Sequence, residues 1–217
     1  MKKILVVGSN GKMGKLIFQR LSNDYEAVGC DIDDKINDYA DCDLVIDFST
    51  AANSIKTAMF CAENKIPLII GATGHDSDEN KKIREYSKKV AILKSSNFSL
   101  GILLLKKIIQ QFDGCELDKI YIIDKHHKDK IDSPSGTAID LEKYILKVLN
   151  KSAETFSIRA GSEVGEHSIN LYFGDEKITI SHQAFSRNAF VDGVEMCVKF
   201  MIKNKKKKLF NFDEVLF

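Results

Sequence analysis

Residues 4–14 of the chain read ILVVGSNGKMG, an apolar run that leads into three evenly spaced glycines. A continuous apolar run that ends in glycine is typical of a parallel strand buried on both faces. The residues that follow, 12–21, carry apolar side chains at helical spacing. The stretch therefore predicts a strand, a glycine-rich turn and a helix, which is the unit that binds a dinucleotide in open α/β sheets.

The three glycines have separate tasks in such a turn. Gly8 permits the tight turn, Gly11 lets the backbone approach a pyrophosphate, and Gly14 lets the helix pack closely on the strand. The amino terminus of the helix then offers free N–H groups to the phosphates. The spacing GxxGxxG differs from the usual GxGxxG, so a glycine-rich turn without a ligand is the alternative.

Asp31 strengthens the dinucleotide interpretation. It lies at the end of the second predicted strand, about twenty residues after Gly11, where a carboxylate accepts hydrogen bonds from the adenosine ribose. A carboxylate at this point repels a 2′-phosphate, and the next residue is Ile32 rather than arginine. We therefore expect NADH to be preferred, with NADPH as the alternative cofactor because Lys35 is close in sequence.

The rest of the first half continues the alternation of strands and helices. Strands are predicted at 27–30, 44–46, 68–70 and 90–93, and helices at 52–63 and 79–88. Such alternation implies right-handed β-α-β units and a parallel sheet. Residues 32–43 are too few for the usual crossover helix, so a turn is expected there.

After Asn97 the pattern changes. Helices are predicted at 100–111, from 135 onward and at 187–203, and strands at 119–123, 155–159, 167–173 and 177–182. Strands that follow one another without helices favour a mixed or antiparallel sheet. The predicted fold class is α/β: a Rossmann-type parallel-sheet nucleotide domain plus a smaller α+β domain with a mixed sheet.

The composition excludes several classes of protein. The 217 residues are 44% hydrophobic and 29% charged, and 32 basic residues against 31 acidic ones leave a net charge of +1. No nucleic-acid or membrane partner is expected, because the chain lacks a basic field and any apolar run of roughly 20 residues. Five scattered cysteines without a CxxC pair indicate reduced thiols. A cytoplasmic protein without a targeting segment is expected.

Residues 124–138, DKHHKDKIDSPSGTA, contain the candidate chemistry. His126 and His127 are adjacent, and Lys130 follows four residues after the first histidine. The string SPSGT predicts a helix start with a hydroxyl cap and a proline in the first turn, at which Gly136 and Thr137 form an anion site. An imidazole, an ammonium and an anion site suit a carboxylated substrate that must receive a proton.

Other interpretations of this segment are weaker. A charged surface loop is the commonest role of such a string. No metal is expected, because adjacent histidines point in different directions and no cysteine lies at zinc-ligand spacing. Three aspartates neutralise the segment and disfavour contact with nucleic acid.

The string HHxxKxDSPSGTA resembles the signature of the dihydrodipicolinate reductase family, usually written E-x-H-H-x-x-K-x-D-A-P-S-G-T-A. The resemblance extends over nearly the whole chain, through the strings DFST, GATG, SNFS, RAG, GEH and ISH. It implies NAD(P)H-dependent reduction of dihydrodipicolinate, formed from 4-hydroxy-tetrahydrodipicolinate, to tetrahydrodipicolinate in diaminopimelate and lysine biosynthesis. Asp124 replaces the usual glutamate and Ser133 the usual alanine.

The resemblance also implies roles for individual residues. His126 matches the proton donor and Lys130 its catalytic partner. The positions that match contacts to a small dicarboxylate substrate are His127, Lys130, Gly136 and Thr137. The positions that match cofactor contacts are Gly8, Ser9, Asn10, Gly11, Lys12, Met13, Asp31, Phe48, Gly71, Ala72, Thr73, Ser95, Ser96, Asn97 and Phe98.

The family organisation implies a dinucleotide-binding domain of residues 1–97, completed by a C-terminal helix at 190–217. Residues 98–189 would then bind substrate and assemble the protein into a homotetramer, with a homodimer as the alternative. Two other functions stay open. One is another two-domain nicotinamide-dependent dehydrogenase, of the aspartate or homoserine type. The other is a sensor that binds NADH without turnover, although a sensor needs no proton donor.

Overall fold

The computed structural model describes residues 1–204 and 206–215; Lys205, Leu216 and Phe217 lie outside this description. The chain forms two compact units. The first unit contains Met1–Phe98 and the described part of Phe190–Phe217, and the second contains Ser99–Ala189. Within the described ranges, every helix is too short or too polar to cross a bilayer.

A six-stranded sheet forms the centre of the first unit. Its strands are β1 (Lys3–Val7), β2 (Glu26–Cys30), β3 (Leu44–Asp47), β4 (Leu68–Ile70), β5 (Ile92–Lys94) and β10 (Leu209–Phe210). Their order is β10-β5-β4-β3-β1-β2, and all neighbours are parallel. The helices of this unit are α1 (Lys12–Leu21), α2 (Ala51–Asn64), α3 (Ser77–Ser87) and α6 (Asn188–Lys203). The predicted Rossmann-type parallel sheet is confirmed.

The apolar runs of the central strands explain why this sheet is parallel and covered. In β1, four consecutive residues from Ile4 to Val7 are buried, so side chains on both faces of the strand are removed from water. All residues of β3 and β4 are buried as well. Helices packed on both faces produce this pattern, since a sheet with one wet face would alternate between buried and exposed residues.

Two segments of the first unit could be described in full only from the structure. The connection between β2 and β3 contains a single turn of 3₁₀ helix, Ile36–Tyr39, which confirms that no full crossover helix is present there. The helix predicted at 187–203 is confirmed as α6, whereas the C-terminal helix of 190–217 in the expected domain organisation ends at Lys203, and the segment also contains the short strand β10 and a 3₁₀ turn at Phe212–Val215. Positions 216 and 217 of that prediction lie outside the described residues.

The second unit pairs four strands with two helices. The strands are β6 (Lys119–His126), β7 (Glu154–Arg159), β8 (Gly165–Phe173) and β9 (Glu176–Ala184), in the order β7-β6-β8-β9. β6 pairs in parallel with β7 and antiparallel with β8, and β8 pairs antiparallel with β9. The helices are α4 (Leu100–Ile109) and α5 (Gly136–Leu149). The predicted mixed sheet of an α+β unit is confirmed.

One face of this mixed sheet forms the core of the second unit. Ile102 and Leu105 of α4 and Leu141 of α5 pack against Ile122 of β6 and Ile169 of β8. Strand residues alternate in burial, as they do when one face of a sheet is covered and the other is not.

The structure corrects two local predictions in this unit. β6 was expected to end at Ile123, but it continues to His126, so the first histidine lies on a strand and not in a loop. The helix after it begins at Gly136 with Ser135 as its N-cap, so Pro134 precedes the helix and does not lie in its first turn. The polar sequence around Asp124 hid the strand because its apolar periodicity stops there.

Candidate functional site

The glycine turn of the first unit folds around the carboxylate of Asp31. Its Oδ2 accepts hydrogen bonds from the Ser9 hydroxyl at 2.5 Å and from the Asn10 backbone N–H at 2.9 Å. Gly8 has a positive φ of 81° and donates its N–H to the Cys30 carbonyl at 2.8 Å. Asp31 therefore links the end of β2 to the turn that follows β1, and both of these bonds use the same carboxylate oxygen.

Helix α1 starts directly behind this turn without a side-chain cap. Gly11 is its N-cap residue, whereas hydroxyl or carboxylate side chains cap α2, α3, α4 and α5. A Cβ atom at Gly14 would lie 2.0 Å from the Gly8 carbonyl oxygen, so only glycine allows the helix to approach this closely. In the first turn Lys12 is exposed and Met13 half-buried. An uncapped helix start beside a carboxylate fits the phosphate and ribose groups of a dinucleotide.

The other predicted cofactor residues of this unit follow the carboxyl ends of neighbouring strands. The backbone N–H of Phe48 donates to Val7 at 3.0 Å, that of Gly71 to Asp47 at 2.8 Å, and that of Ser95 to Ile70 at 3.1 Å. These bonds continue the parallel ladder one residue beyond β3, β4 and β5. Gly8, Asp31, Phe48, Gly71 and Ser95 therefore lie at one edge of the sheet, where open α/β sheets bind ligands.

Side-chain accessibility differs along this edge. The ring of Phe48 covers Gly71, where a Cβ would lie 2.3 Å from the ring, and its centroid is 5.4 Å from that of Phe98. Phe98 and Ala72 are buried, so neither side chain is open to a ligand. Thr73 and Ser96 are exposed.

The segment after β5 is held by its own hydrogen bonds. The Ser95 hydroxyl donates to the Asn97 carbonyl at 2.5 Å and accepts from the Asn97 N–H at 3.2 Å. This small ring fixes the backbone at the end of β5, next to the other strand ends of the edge.

A buried carboxylate that the sequence did not single out lies beneath the same edge. Asp47 ends β3 and is fully buried, and its Oδ1 accepts from the N–H and the hydroxyl of Ser49 at 2.8 and 2.6 Å. Burial raises the pKa of Asp47 above its usual value, because it disfavours the charged form, although the bonds from Ser49 oppose the change.

In the second unit, the candidate proton donor lies against a buried carboxylate on its own strand. Asp124 and His126 are two residues apart on β6 and share the covered face of the sheet. The Oδ1 atom of Asp124 lies 2.9 Å from Nδ1 of His126 and 3.4 Å from Nε2 of His167 on β8. The two imidazoles meet edge to face, with ring centroids 5.3 Å apart.

The second oxygen of Asp124 binds the other elements around it. Oδ2 accepts from the Ser135 backbone N–H at 2.8 Å, from Arg159 Nη2 at 2.8 Å and from the Ser157 hydroxyl at 3.1 Å. Burial by itself would raise the pKa of Asp124, but His126, His167, Arg159 and the Ser135 N–H together hold it well below its usual range. Asp124 is therefore a buried anion whose Oδ2 accepts three hydrogen bonds and whose Oδ1 lies beside the two imidazoles.

By residue type, Asp124, His126 and His167 could hold a metal ion, since their ligand atoms lie within 4.8 Å of one another. The guanidinium of Arg159 contacts the same carboxylate at 2.8 Å. The positive charge of this guanidinium opposes the binding of a metal cation beside it. The expectation that the protein uses no metal stays a prediction.

The predicted substrate residues lie at the two ends of the segment that follows β6. His127 is half-buried directly after the strand, and the Lys130 ammonium pairs with Asp132 at 2.7 Å. At the far end, the Ser135 hydroxyl caps α5 by accepting from the Ala138 N–H at 3.2 Å. Gly136 begins the helix, and a Cβ placed there would meet no atom within 4 Å. No side chain at position 136 covers this helix start, where the Asp132 carboxylate accepts a hydrogen bond from the Gly136 N–H, and Thr137 lies in the same turn.

Sequence reasoning missed Asp124, Arg159 and His167 as members of this group. In the sequence, Asp124 stands out as a substitution in the family signature and as one of three neutralising aspartates, and the string GEH assigns His167 no role of its own. Ile120, Ile122, Asp124 and His126 alternate along β6 on its covered face, and this spacing could have placed Asp124 beside His126. The spacing is recognised only when the predicted strand is extended into the charged segment.

Comparisons with known proteins show which family the chain resembles. Two family models match: "Dihydrodipicolinate reductase, N-terminus" over residues 23–98 and "Dihydrodipicolinate reductase, C-terminus" over residues 100–216. The 4-hydroxy-tetrahydrodipicolinate reductase of Wigglesworthia glossinidia brevipalpis is 37% identical, over 99% of this chain and 92% of the relative. That of Clostridium tetani is 35% identical, over 100% of this chain and 97% of the relative.

Solved structures support the same fold. A dipicolinate-bound dihydrodipicolinate reductase from Paenisporosarcina sp. TG-14 superimposes with a TM-score of 0.79 at 20% identity, covering 97% of each chain. A probable dehydrogenase from Thermotoga maritima gives a TM-score of 0.71 at 10% identity, covering 99% of this chain and 92% of that chain. On the family models and the curated relatives together, this chain belongs to the dihydrodipicolinate reductase family.

Proposed function

We propose that the protein reduces dihydrodipicolinate, formed from 4-hydroxy-tetrahydrodipicolinate, to tetrahydrodipicolinate in diaminopimelate and lysine biosynthesis, with NAD(P)H as the reductant. The observation that carries this proposal is the group around Asp124, which joins an imidazole at the end of β6 to the helix start of α5. A proton donor and an anion-binding helix start held by one carboxylate suit the reduction of a small dicarboxylate.

The first unit is the proposed cofactor-binding domain. A nicotinamide coenzyme supplies the hydride when it is bound. The uncapped start of α1 behind Gly8 and Gly11 suits its pyrophosphate. Asp31 suits an unmodified adenosine ribose and disfavours a 2′-phosphate, so we propose that NADH is used in preference to NADPH.

The second unit, residues 99–189, is the proposed substrate-binding domain. The start of α5 at Gly136 and Thr137 would bind one carboxylate of the substrate, and His127 and Lys130 would bind the other. The Lys130 ammonium pairs with Asp132 at 2.7 Å, a partner that a substrate carboxylate would replace. Because Gly136 carries no side chain, an oxygen of the substrate can approach the backbone N–H groups of the helix closely.

His126 is the proposed general acid. Its imidazole lies at the end of β6 against the carboxylate of Asp124, with Nδ1 at 2.9 Å from Oδ1. Reduction of a conjugated imine by hydride builds negative charge on the substrate, and a proton from His126 would neutralise it. General-acid catalysis of this kind contributes about 10²–10⁴-fold to the rate.

The uncovered face of the mixed sheet is the proposed assembly surface. Phe156 and Ile158 of β7 lie on this face and are 52% and 44% exposed, and Tyr121 and Tyr172 lie beside them with ring centroids 5.6 Å apart. An apolar and aromatic sheet face of this kind favours burial against another copy. We propose a homotetramer formed through these sheets, with a homodimer as the alternative. We also propose that it is cytoplasmic, since the cysteines of the chain are free thiols.

The alternative functions are not favoured. The chain matches relatives that are named as the reductase, over 92% and 97% of their length. An aspartate or homoserine dehydrogenase would not be expected to match these relatives so completely. A protein that only senses NADH would have no use for a buried carboxylate beside an imidazole.

The proposal is tested by following NADH oxidation with substrate generated in the assay from pyruvate, aspartate semialdehyde and the preceding synthase. We expect the wild-type protein to oxidise NADH, and His126→Ala to lower turnover by about 10²–10⁴-fold. Titration calorimetry should show that this variant still binds NADH. Lys130→Met should raise the substrate KM, whereas Lys128→Met, an exposed lysine of the same segment, serves as the matched control.

Each result has a separate meaning. A wild-type protein that oxidises neither NADH nor NADPH with this substrate would refute the proposed reaction. Full turnover by His126→Ala would leave the reaction in place and refute the role of His126. NADH binding without any turnover would favour the sensor.

A further inference from the structure

We infer that Asp124 is a positioning residue for the proposed reduction, because its two carboxylate oxygens hold the proton donor His126 and the start of the anion-binding helix α5 in one arrangement. The inference rests on the proposed function and extends it to a residue that touches neither substrate nor cofactor. Asp124 is fully buried, so it can act only through the groups that it contacts.

The two carboxylate oxygens of Asp124 contact different elements. Oδ1 faces Nδ1 of His126 at 2.9 Å, and Oδ2 accepts the N–H of Ser135, the N-cap residue of α5, at 2.8 Å. A movement of the carboxylate would therefore displace the imidazole and the helix start together. Positioning within about 0.5 Å is what such a site needs.

The contact with Asp124 also decides which part of the imidazole can exchange a proton. Nδ1 of His126 is buried, while the side chain as a whole keeps 9% of its surface exposed. Nδ1 is therefore not part of the exposed surface of the ring. On its other side the ring packs over Gly165, where a Cβ would lie 2.8 Å from Nε2, so the absence of a side chain there gives the imidazole its room.

Arg159 keeps the carboxylate charged. Its Nη2 binds Oδ2 of Asp124 at 2.8 Å and the Asp132 carbonyl at 2.7 Å, and its Nη1 binds the Asp124 carbonyl at 3.0 Å. These bonds fasten β7 to β6 and to the segment before α5. The carboxylate therefore stays ionised and fixed beside the His126 ring.

The charged and titratable groups that face Asp124 come from three strands: His126 from β6, Arg159 from β7 and His167 from β8. Helix α5 adds only the N–H and hydroxyl of Ser135, the latter 3.2 Å from His167. Lys125 lies on the opposite face of β6, where it pairs with Glu163 at 2.8 Å. Glu163 therefore offers a local carboxylate that does not contact the imidazole.

The test compares Asp124→Asn, Asp124→Glu and the control Glu163→Gln by kcat and KM, measured separately with NADH and freshly generated substrate. A residue that places both the proton donor and the carboxylate-binding helix start should affect kcat and the substrate KM but not the KM for NADH. For Asp124→Asn we expect a kcat lower by about 10–100-fold and a raised KM for the substrate. NADH binding, measured by calorimetry, should not change.

Asp124→Glu restores the charge and carries the residue usual in the family signature. Its kcat and substrate KM should return toward the wild-type values, and Glu163→Gln should match the wild type. An Asp124→Asn protein with the wild-type kcat and substrate KM would overturn the inference. If Asp124→Asn does not fold, Asp124→Glu decides: kcat and KM near the wild-type values support the inference, and a folded Asp124→Glu protein with kcat as low as that of His126→Ala overturns it.

The inference and the proposed function fail in different ways. A wild-type protein without activity would refute the proposed reaction and the positioning role together. An active wild type whose kcat and substrate KM do not change in Asp124→Asn would refute the positioning role alone.

Discussion

The hydroxyl of Ser9 donates a 2.5 Å hydrogen bond to Oδ2 of Asp31, and the same oxygen accepts the N–H of Asn10. Asp31 thus has a structural task in the glycine turn in addition to its proposed contact with ribose. The negative charge of Asp31 and its ability to accept hydrogen bonds are therefore two properties that a substitution can test separately.

Asp31→Asn should shift the cofactor preference toward NADPH. The amide oxygen can still accept from Ser9 and Asn10, but the negative charge that repels a 2′-phosphate is lost. Removal of one such charge is worth about 1–2 kcal/mol at a partly exposed site, so the ratio of kcat/KM for NADPH to that for NADH should rise about tenfold. Asp33→Asn, the same change at an exposed neighbour, is the control. An unchanged ratio would mean that Asp31 does not select the cofactor.

Gly14→Ala should destabilise the first unit far more than Gly11→Ala. The added Cβ at position 14 would lie 2.0 Å from the Gly8 carbonyl oxygen, which is backbone and cannot rotate away, whereas at position 11 it would lie 3.2 Å from the same atom. Overpacking of this kind costs about 1–3 kcal/mol. Thermal unfolding of the two variants measures the difference, and equal midpoints would show that the turn adjusts without cost.

Asp47→Asn should change how stability depends on pH. Because burial raises the pKa of Asp47 in the folded protein above its usual value of 3.8, its favourable contribution is fully present below pH 3.8 and is lost as pH rises through the raised value. The unfolding free energy of the wild type minus that of Asp47→Asn should therefore fall as pH rises from 3.8 toward neutrality.

Urea unfolding at a series of pH values measures this difference, and comparison between variants cancels the contribution of every other group. Asp33→Asn again serves as the exposed control. A difference between wild type and Asp47→Asn that is constant or rises with pH would contradict the raised pKa.

Phe156→Glu should break the proposed assembly. Phe156 is 52% exposed on the uncovered face of the mixed sheet, where a buried interfacial carboxylate would lack a partner. Sedimentation of the variant should give a smaller mass than that of the wild type. Leu146→Glu is the matched control, since Leu146 is 54% exposed on α5 and belongs to the helical layer. A wild-type mass for Phe156→Glu would exclude this face as the interface.

The first unit was the more predictable half of the chain. The strand that ends at Val7, the glycine turn and the helix at Lys12–Leu21 follow from hydrophobic periodicity and glycine spacing, which are local properties. The short strand β10 escaped prediction because two residues carry no periodicity, and its pairing with β5 joins positions more than a hundred residues apart.

In the second unit, the candidate histidines, the lysine and the helix start could be recognised from the sequence, because they belong to one short contiguous segment. The convergence of Asp124, Arg159 and His167 could not be recognised without the folded sheet. They lie on three strands, and the register that pairs His126 with Arg159 and Asp124 with His167 depends on the whole sheet. A buried charge is stable only where distant donors meet it, and no local pattern records which distant residues those will be.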